Sequence, residues 1–267
     1  MARAHIEFVQ TQWIDWQPLP DGSAAKRLNG DEETGAETLI LRYPPGFAQD
    51  RAELAEEIFV LEGALTLDGQ AMGRHAYAFV PHGAGLGARA SGAGATVLVF
   101  RHGRDDVNSA ASIAEAMVID TPAMEWDTST YDPKLGHLRL ARKVLRLGPN
   151  DSGRTFLLTG LPHGVPHETH LRPEMHDHAE EMFMLSGSMW APEGLMRAGA
   201  YFYRPPGIIH GPHVSEEGFL QIMRSPGANR IVTHWQDRLE PLPIGAPHTP
   251  VGVPEAWAKP WQDTPKW

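Results

Sequence analysis

Residues 180–187, Glu-Glu-Met-Phe-Met-Leu-Ser-Gly, restate the pattern of residues 56–63, Glu-Glu-Ile-Phe-Val-Leu-Glu-Gly, at an offset of 124. The match continues downstream, where Ala76-Tyr77, Pro81 and Gly83 align with Ala200-Tyr201, Pro205 and Gly207. A repeat on this scale means two copies of one structural unit. Each copy is then a control for the other, and what one has and the other lacks points to chemistry.

The difference is histidine. The second copy contains His176-Asp177-His178-Ala179-Glu180-Glu181 and, later, Pro205-Pro206-Gly207-Ile208-Ile209-His210. The offset sets Ala52, Leu54 and Leu86 opposite His176, His178 and His210, and Glu57 opposite Glu181. Ala and Leu fill a core but offer no lone pair. The second copy reads as an active site and the first as its apolar counterpart.

A chain of 267 residues is long enough for two domains, each with its own core. No apolar run reaches the roughly 18–20 residues of a membrane span, and the N-terminal residues lack a signal-peptide pattern. The expected location is cytoplasmic. The formal charge of -10 argues against nucleic acid or an anionic membrane as partner. There is no cysteine, so any metal must sit on imidazole and carboxylate.

Short β-prone runs separated by Gly and Pro dominate the chain: Glu37–Tyr43, Glu57–Leu61, Tyr77–Val80, Thr96–Arg101, Thr155–Leu161, Met182–Leu185, Ala200–Tyr203 and Phe219–Arg224. This spacing predicts an all-β sandwich or barrel in each copy. The best helical pattern, Ser109–Val118, lies between the copies. The domains are expected at 1–110 and 120–240, followed by a Pro- and Trp-rich arm at 241–267 that packs on a domain or on a partner chain. Trp-bearing arms and open sheet edges favour a homodimer. About six extra residues precede His176 in the second copy, and they bring His167, Glu168, His170 and Arg172 near the candidate site.

Neutral imidazoles with a carboxylate suit Fe(II), Mn, Ni, Cu or Zn. Residues two apart on a strand share a face, so His176 and His178 aim at one point. With His210 and one glutamate they make a four-donor set with room left for a small-molecule substrate, as a catalytic site needs. One divalent transition metal per chain is expected. A lone His-X-His is more often a surface pair, and His163, His167, His170 and His213 read one by one as loop residues. Seven of the 14 histidines nevertheless fall within residues 163–213.

Gly164…His176-X-His178-X-X-Glu181…Gly187 and Gly199-X5-Pro205-X-Gly207-X2-His210 resemble the two motifs of the cupin superfamily. The chain as a whole is similar to a bicupin, nearest in motif to ChrR-like cupins. The second motif fits through to His210. In the first, two residues separate His178 from Glu181, where the family has three or four. The family's gap of six intervening residues before Gly187 selects Glu180. Strand parity with Phe183 and Leu185, both repeated in the first copy, selects Glu181, which is preferred. The resemblance implies two tandem double-stranded β-helix (RmlC-like jelly-roll) domains. It also implies a function on a small organic molecule, first a non-haem Fe(II) dioxygenase-type oxidoreductase, with a Mn- or Zn-dependent hydrolase, isomerase or decarboxylase, or a non-enzymatic small-molecule or metal sensor, as the alternatives. His213, Tyr203, Met182, Phe183, His170 and Arg224 are the expected pocket-lining residues. Arg172, Arg204 and Arg224 are candidates to neutralise a substrate carboxylate.

Overall fold

The computed structural model describes residues 3–50, 52, 54–81, 87–104, 106, 116–129, 131–263 and 267. They fall into two units, Met1–Arg3 with Ile14–Met124, and Ala4–Trp13 with Glu125–Trp267. Both are all-β. Among the described residues the helical segments are short 3-10 turns, such as Pro133–Leu138 and Glu255–Trp257.

In the first unit a seven-stranded antiparallel sheet runs Met117–Ile119, Tyr77–Val80, Glu56–Gly63, Ala95–Arg101, Glu37–Tyr43, Ala24–Gly30, Gln17–Pro18. A four-stranded sheet, Phe47–Gln49, Arg89–Ser91, Leu65–Leu67, Gln70–Met72, belongs to the same unit. The core follows the period of two that a pleated strand imposes. Ile58 and Val60 from the central strand pack with Leu39, Leu41, Val97 and Val99. Burying each such side chain contributes about 1.5–3 kcal/mol.

The second unit repeats the plan. Its main sheet runs Ile6–Gln10, Ala200–Arg204, Glu180–Ala191, Phe219–Pro226, Gly153–Gly160, Ala141–Leu147, with Gly194–Arg197 hairpinned onto the far half of the central strand. Glu174–His176 pairs with Thr233–Trp235, and His170–Leu171 with Glu240–Pro241. Met182 and Met184 stand where Ile58 and Val60 stand in the first unit, and pack with Phe156, Phe202, Phe219 and Met223. Gly63 and Gly187, at matching places, both have φ of 74°. A Cβ there would collide with the carbonyl of Gly94 or Gly218, so the repeat keeps glycine at both.

Two expectations change. The segment Ile6–Gln10, placed by sequence in the domain of residues 1–110, is the edge strand of the second unit, pairing Ile6 with Tyr203 and Val9 with Tyr201. That choice of partner is made by tertiary packing and leaves no local signal. Most of the helix expected over Ser109–Val118 lies outside the described residues, and its last two residues are in the strand Met117–Ile119. The segment from residue 241 on belongs to the second unit. Val251 pairs with Glu7 through their backbones, and the Trp13 indole donates to the Pro260 carbonyl at 3.0 Å. No described helix is long and apolar enough to cross a membrane.

Candidate metal centre

Three backbone features converge on one end of the second unit's barrel. The strand Glu174–His176 carries Glu174 and His176 on one face. A bend at Asp177-His178 then leads into the long strand that opens with Glu180. The Pro205-Pro206-Gly207 turn hydrogen-bonds back, Gly207 N–H to the His176 carbonyl at 2.9 Å, and His210 and Glu174 exchange two backbone hydrogen bonds of 2.9 Å. His176 and His210 are thereby tied to each other through the main chain.

The side chains follow. Glu180 spans the two imidazoles, Oε1 at 3.3 Å from His176 Nε2 and Oε2 at 3.3 Å from His210 Nε2. Glu174 Oε1 is 4.0 Å from His210 Nε2. One donor atom each from Glu174, His176 and His210 lies within 4.8 Å of the others. His178 stacks on His176, ring centroids 5.2 Å apart and planes 11° from parallel.

The three histidines share one device. Nδ1 of His176 faces the Val232 carbonyl at 2.9 Å, Nδ1 of His178 the Ala179 carbonyl at 2.9 Å, and Nδ1 of His210 the Ile208 carbonyl at 3.0 Å. A carbonyl only accepts, so each Nδ1 holds the proton and each Nε2 keeps its lone pair. A metal-binding histidine is oriented in this way. The Nε2 of His178 is buried and has no hydrogen-bond partner among the described residues. Burial lowers the pKa of His178, and burial followed by the charge of Arg204 lowers that of His210 well below the usual value. Both shifts favour the neutral imidazole, the form that coordinates. Burial and then the like charge of Glu180 push Glu174 up to about 7. Donor separations near 3 Å match neighbouring ligands bound at about 2.1 Å. The residues therefore fit a divalent transition metal: Glu174, His176 and His210 form a cluster able to hold one, Glu180 bridges the two imidazoles, and His178 stacks beside them.

Glu181 is elsewhere. It is fully buried, accepts from Tyr201 Oη at 2.7 Å and pairs with Arg224 at 2.9 Å. Parity with Phe183 and Leu185 pointed to it, but that parity marks the outer face. The inner face is Glu180, Met182 and Met184. The strand is buried on both sides, so hydrophobicity does not distinguish them. Glu174 was not foreseen, although Glu174-X-His176 alternates as a strand face requires.

The site opens into a cavity of about 540 Å³, within the ordinary range for ligand pockets. His213 lines it, with its pKa taken by burial and Arg204 down to about 3. The other expected lining residues do not. Met182 is sealed in the core, Phe183 lies on the outer face against Trp267, and Arg224 is held by Glu181. Tyr203 falls on the outer-face register opposite Glu181, and His170 is exposed on the short strand His170–Leu171. Arg204 is buried and bound through two nitrogens to Glu7, at 2.5 and 2.6 Å, while also reaching Glu180 at 3.3 Å. Burial alone would raise the pKa of Glu7, but Arg204 holds it at about 2.

Two solved structures share this fold over most of their length. One is a "putative dioxygenase" from Nostoc punctiforme, 19% identical, with a TM-score of 0.70 over 88% of this chain and 92% of that one. The other is the "putative glyoxylate induced protein" from Pseudomonas aeruginosa, 20% identical, with a TM-score of 0.59 over 84% and 87%. The oxalate decarboxylase of Bacillus subtilis, a protein with Mn(II) centres, is 13% identical with a TM-score of 0.53 over 86% and 79%. At these identities the likeness is one of fold. No curated protein matches the chain. The model of the ChrR cupin-like domain matches twice, over residues 5–104 and 114–228, and the chain belongs to that cupin family.

Proposed function

We propose that the second unit holds one divalent transition metal, Fe(II) first, and acts as a dioxygenase-type oxidoreductase on a small organic molecule. The observation that supports it is the set of three histidines, each tethered at Nδ1 to a carbonyl, around Glu180 at the mouth of a cavity. Bound Fe(II) would supply one-electron chemistry with dioxygen. The chain supplies the rest. His176, His178, His210 and Glu180 would hold the metal, Arg204 and Glu7 fix the Glu180 carboxylate, and the apolar part of the cavity wall, Leu138, Phe156, Phe202 and Met223, excludes water from the substrate.

Glu174 keeps a Lewis-acid reaction with Mn or Zn as a second reading, since its carboxyl stands beside the donors and can act as a proton carrier. Elemental analysis of protein purified without added metal, followed by oxygen uptake after anaerobic Fe(II) loading, separates the two. One iron per chain with substrate-dependent oxygen consumption is expected. Bound Mn or Zn with no oxygen consumption would favour the second, and no stoichiometric metal would sink both.

A further inference from the structure

The cavity of the second unit contains a guanidinium with which no carboxylate pairs among the described residues. Arg154, Phe156 and Leu158 are alternate residues of the strand Gly153–Gly160, and all three line the cavity. The Arg154 guanidinium sits over the Phe156 ring, 4.4 Å from its centroid. Its Nε is buried without a hydrogen-bond partner, and no carboxylate pairs with it among the described residues. Neighbouring Arg142 faces the same cavity but is matched by Asp127 at 3.2 Å. Burial, and then the charge of Arg142, lower the pKa of Arg154. A half-buried unpaired cation beside a second cation is costly unless something neutralises it.

Two further groups in the same pocket await partners. Tyr131 Oη and Gln221 Oε1 are buried without a hydrogen-bond partner among the described residues, and both residues line the cavity. Position matters as much as composition. Arg154 pairs in register with Ser225, and Arg224 with Glu181, so Glu180, Ser225 and Arg154 lie in one row across three adjacent strands. Two strand spacings put Arg154 about 10 Å from Glu180. The Ser225 hydroxyl between them is also buried without a partner among the described residues. The wall behind this row is apolar: Leu138, Phe156, Leu158, Phe219 and Met223.

We infer that the substrate is an organic carboxylate with an apolar body, its carboxylate paired with Arg154 and its other end at the metal centre. The proposal rests on the metal reading only for what happens at that other end. The carboxylate supplies the missing counter-ion, and a bidentate pair with the planar guanidinium fixes the long axis of the molecule. Tyr131 offers the carboxylate one further donor. The apolar body takes the place of water against the Leu, Phe and Met wall.

The test is calorimetric titration with 3-phenylpropanoate and its neutral amide, on chelator-treated and on Fe(II)-loaded protein. In both forms the acid is expected to bind at least about tenfold more tightly than the amide, the usual scale for a hydrogen-bonded charge. R154M should erase that preference, and R154K should keep part of it. The Arg154 side chain hydrogen-bonds to no other side chain among the described residues, so R154M should fold; if it does not, a preference in R154K equal to that of the unaltered protein would overturn the proposal. Equal binding of acid and amide, a preference that survives R154M, or no binding of the acid below about 10 mM would each overturn the proposal. Chelator-treated protein isolates the anion site. Failure there leaves the metal reading standing, and failure to load metal leaves the acid-over-amide preference to be measured.

Discussion

The carboxylate that opens the central strand has a different fate in each unit. In the first, Glu56 is buried against the Arg89 guanidinium, with Arg101 at 3.7 Å. In the second, Glu180 faces His176 and His210, with Arg204 at 3.3 Å. The next residue does not change: Glu57 accepts from Tyr77 at 2.7 Å, and Glu181 accepts from Tyr201 at 2.7 Å. The framework is shared down to the Ser91 and Ser215 hydroxyls, which donate to the matching carbonyls of Ala64 and Ser188. By that register Arg89 is the counterpart of His213. The fold therefore requires the Glu57/Glu181 position with its tyrosine, and leaves the Glu56/Glu180 position free to be neutralised by a fixed cation or by a bound one.

The largest effect expected from this comparison is on metal content. Replacing His176 and His178 together by Ala should take the second unit from one metal per chain to none while the circular dichroism spectrum stays that of a β-protein. E57Q, at the matching framework position of the first unit, should leave metal content unchanged. Retention of stoichiometric metal in the double-His variant would mean that the donors lie elsewhere.

Adjacent glutamates sharpen the point. E180Q should weaken metal binding by about 100-fold or more, since a ligand is worth at least as much as the 10–100-fold of an outer partner. E181Q should leave the metal stoichiometry alone and cost about 3 kcal/mol by removing the charge from the buried Glu181–Arg224 pair. That is roughly 6–12 °C in melting temperature for a domain of this size. Metal titration and thermal melts on both variants decide it, and an exchange of the two phenotypes would restore Glu181 as the ligand.

What was legible in the sequence follows the same division. The two cores, the strand runs and the three histidines were readable because each is a local pattern or a difference between the copies. The choice between Glu180 and Glu181 was not, because the central strand is buried on both faces and parity alone names no inner side. The role of Ile6–Gln10 was hidden for another reason. It is a pairing across about 190 residues, and the matching edge in the first unit is filled by Met117–Ile119, from the other end of that copy. Arg154 was invisible because its isolation within the cavity is a tertiary fact.

That imported strand brings Glu7, for which the strand Met117–Ile119 has no acidic counterpart. Glu7 is held at about 2 in the folded state against an ordinary 4.5. A depressed carboxyl contributes stability above its unfolded pKa and loses it as pH falls through the folded one. E7Q should therefore lower stability at neutral pH by about 2–3 kcal/mol and flatten the stability loss between pH 4.5 and 2. Denaturant melts across that range give the answer, and an unchanged acid limb would show that Glu7 contributes nothing there.

The smallest expected effect is the most direct attempt to erase the difference between the units. Giving the first unit histidines at the matching positions (A52H, L54H and L86H) supplies lone pairs but should yield no tight metal site. Arg89 still neutralises Glu56, and a cation must displace a buried guanidinium to enter. Adding R89H removes that competitor and leaves Glu56 with Arg101 alone, part-exposed and 3.7 Å away. The quadruple variant should then take up a second metal per chain, weakly, since the first unit has no arginine at Val80 to play the part of Arg204. Metal titration against the triple variant reads the step. If the triple variant already bound metal as tightly as the quadruple one, Arg89 would not be what silences the first unit, and the loss of its histidines alone would account for the asymmetry.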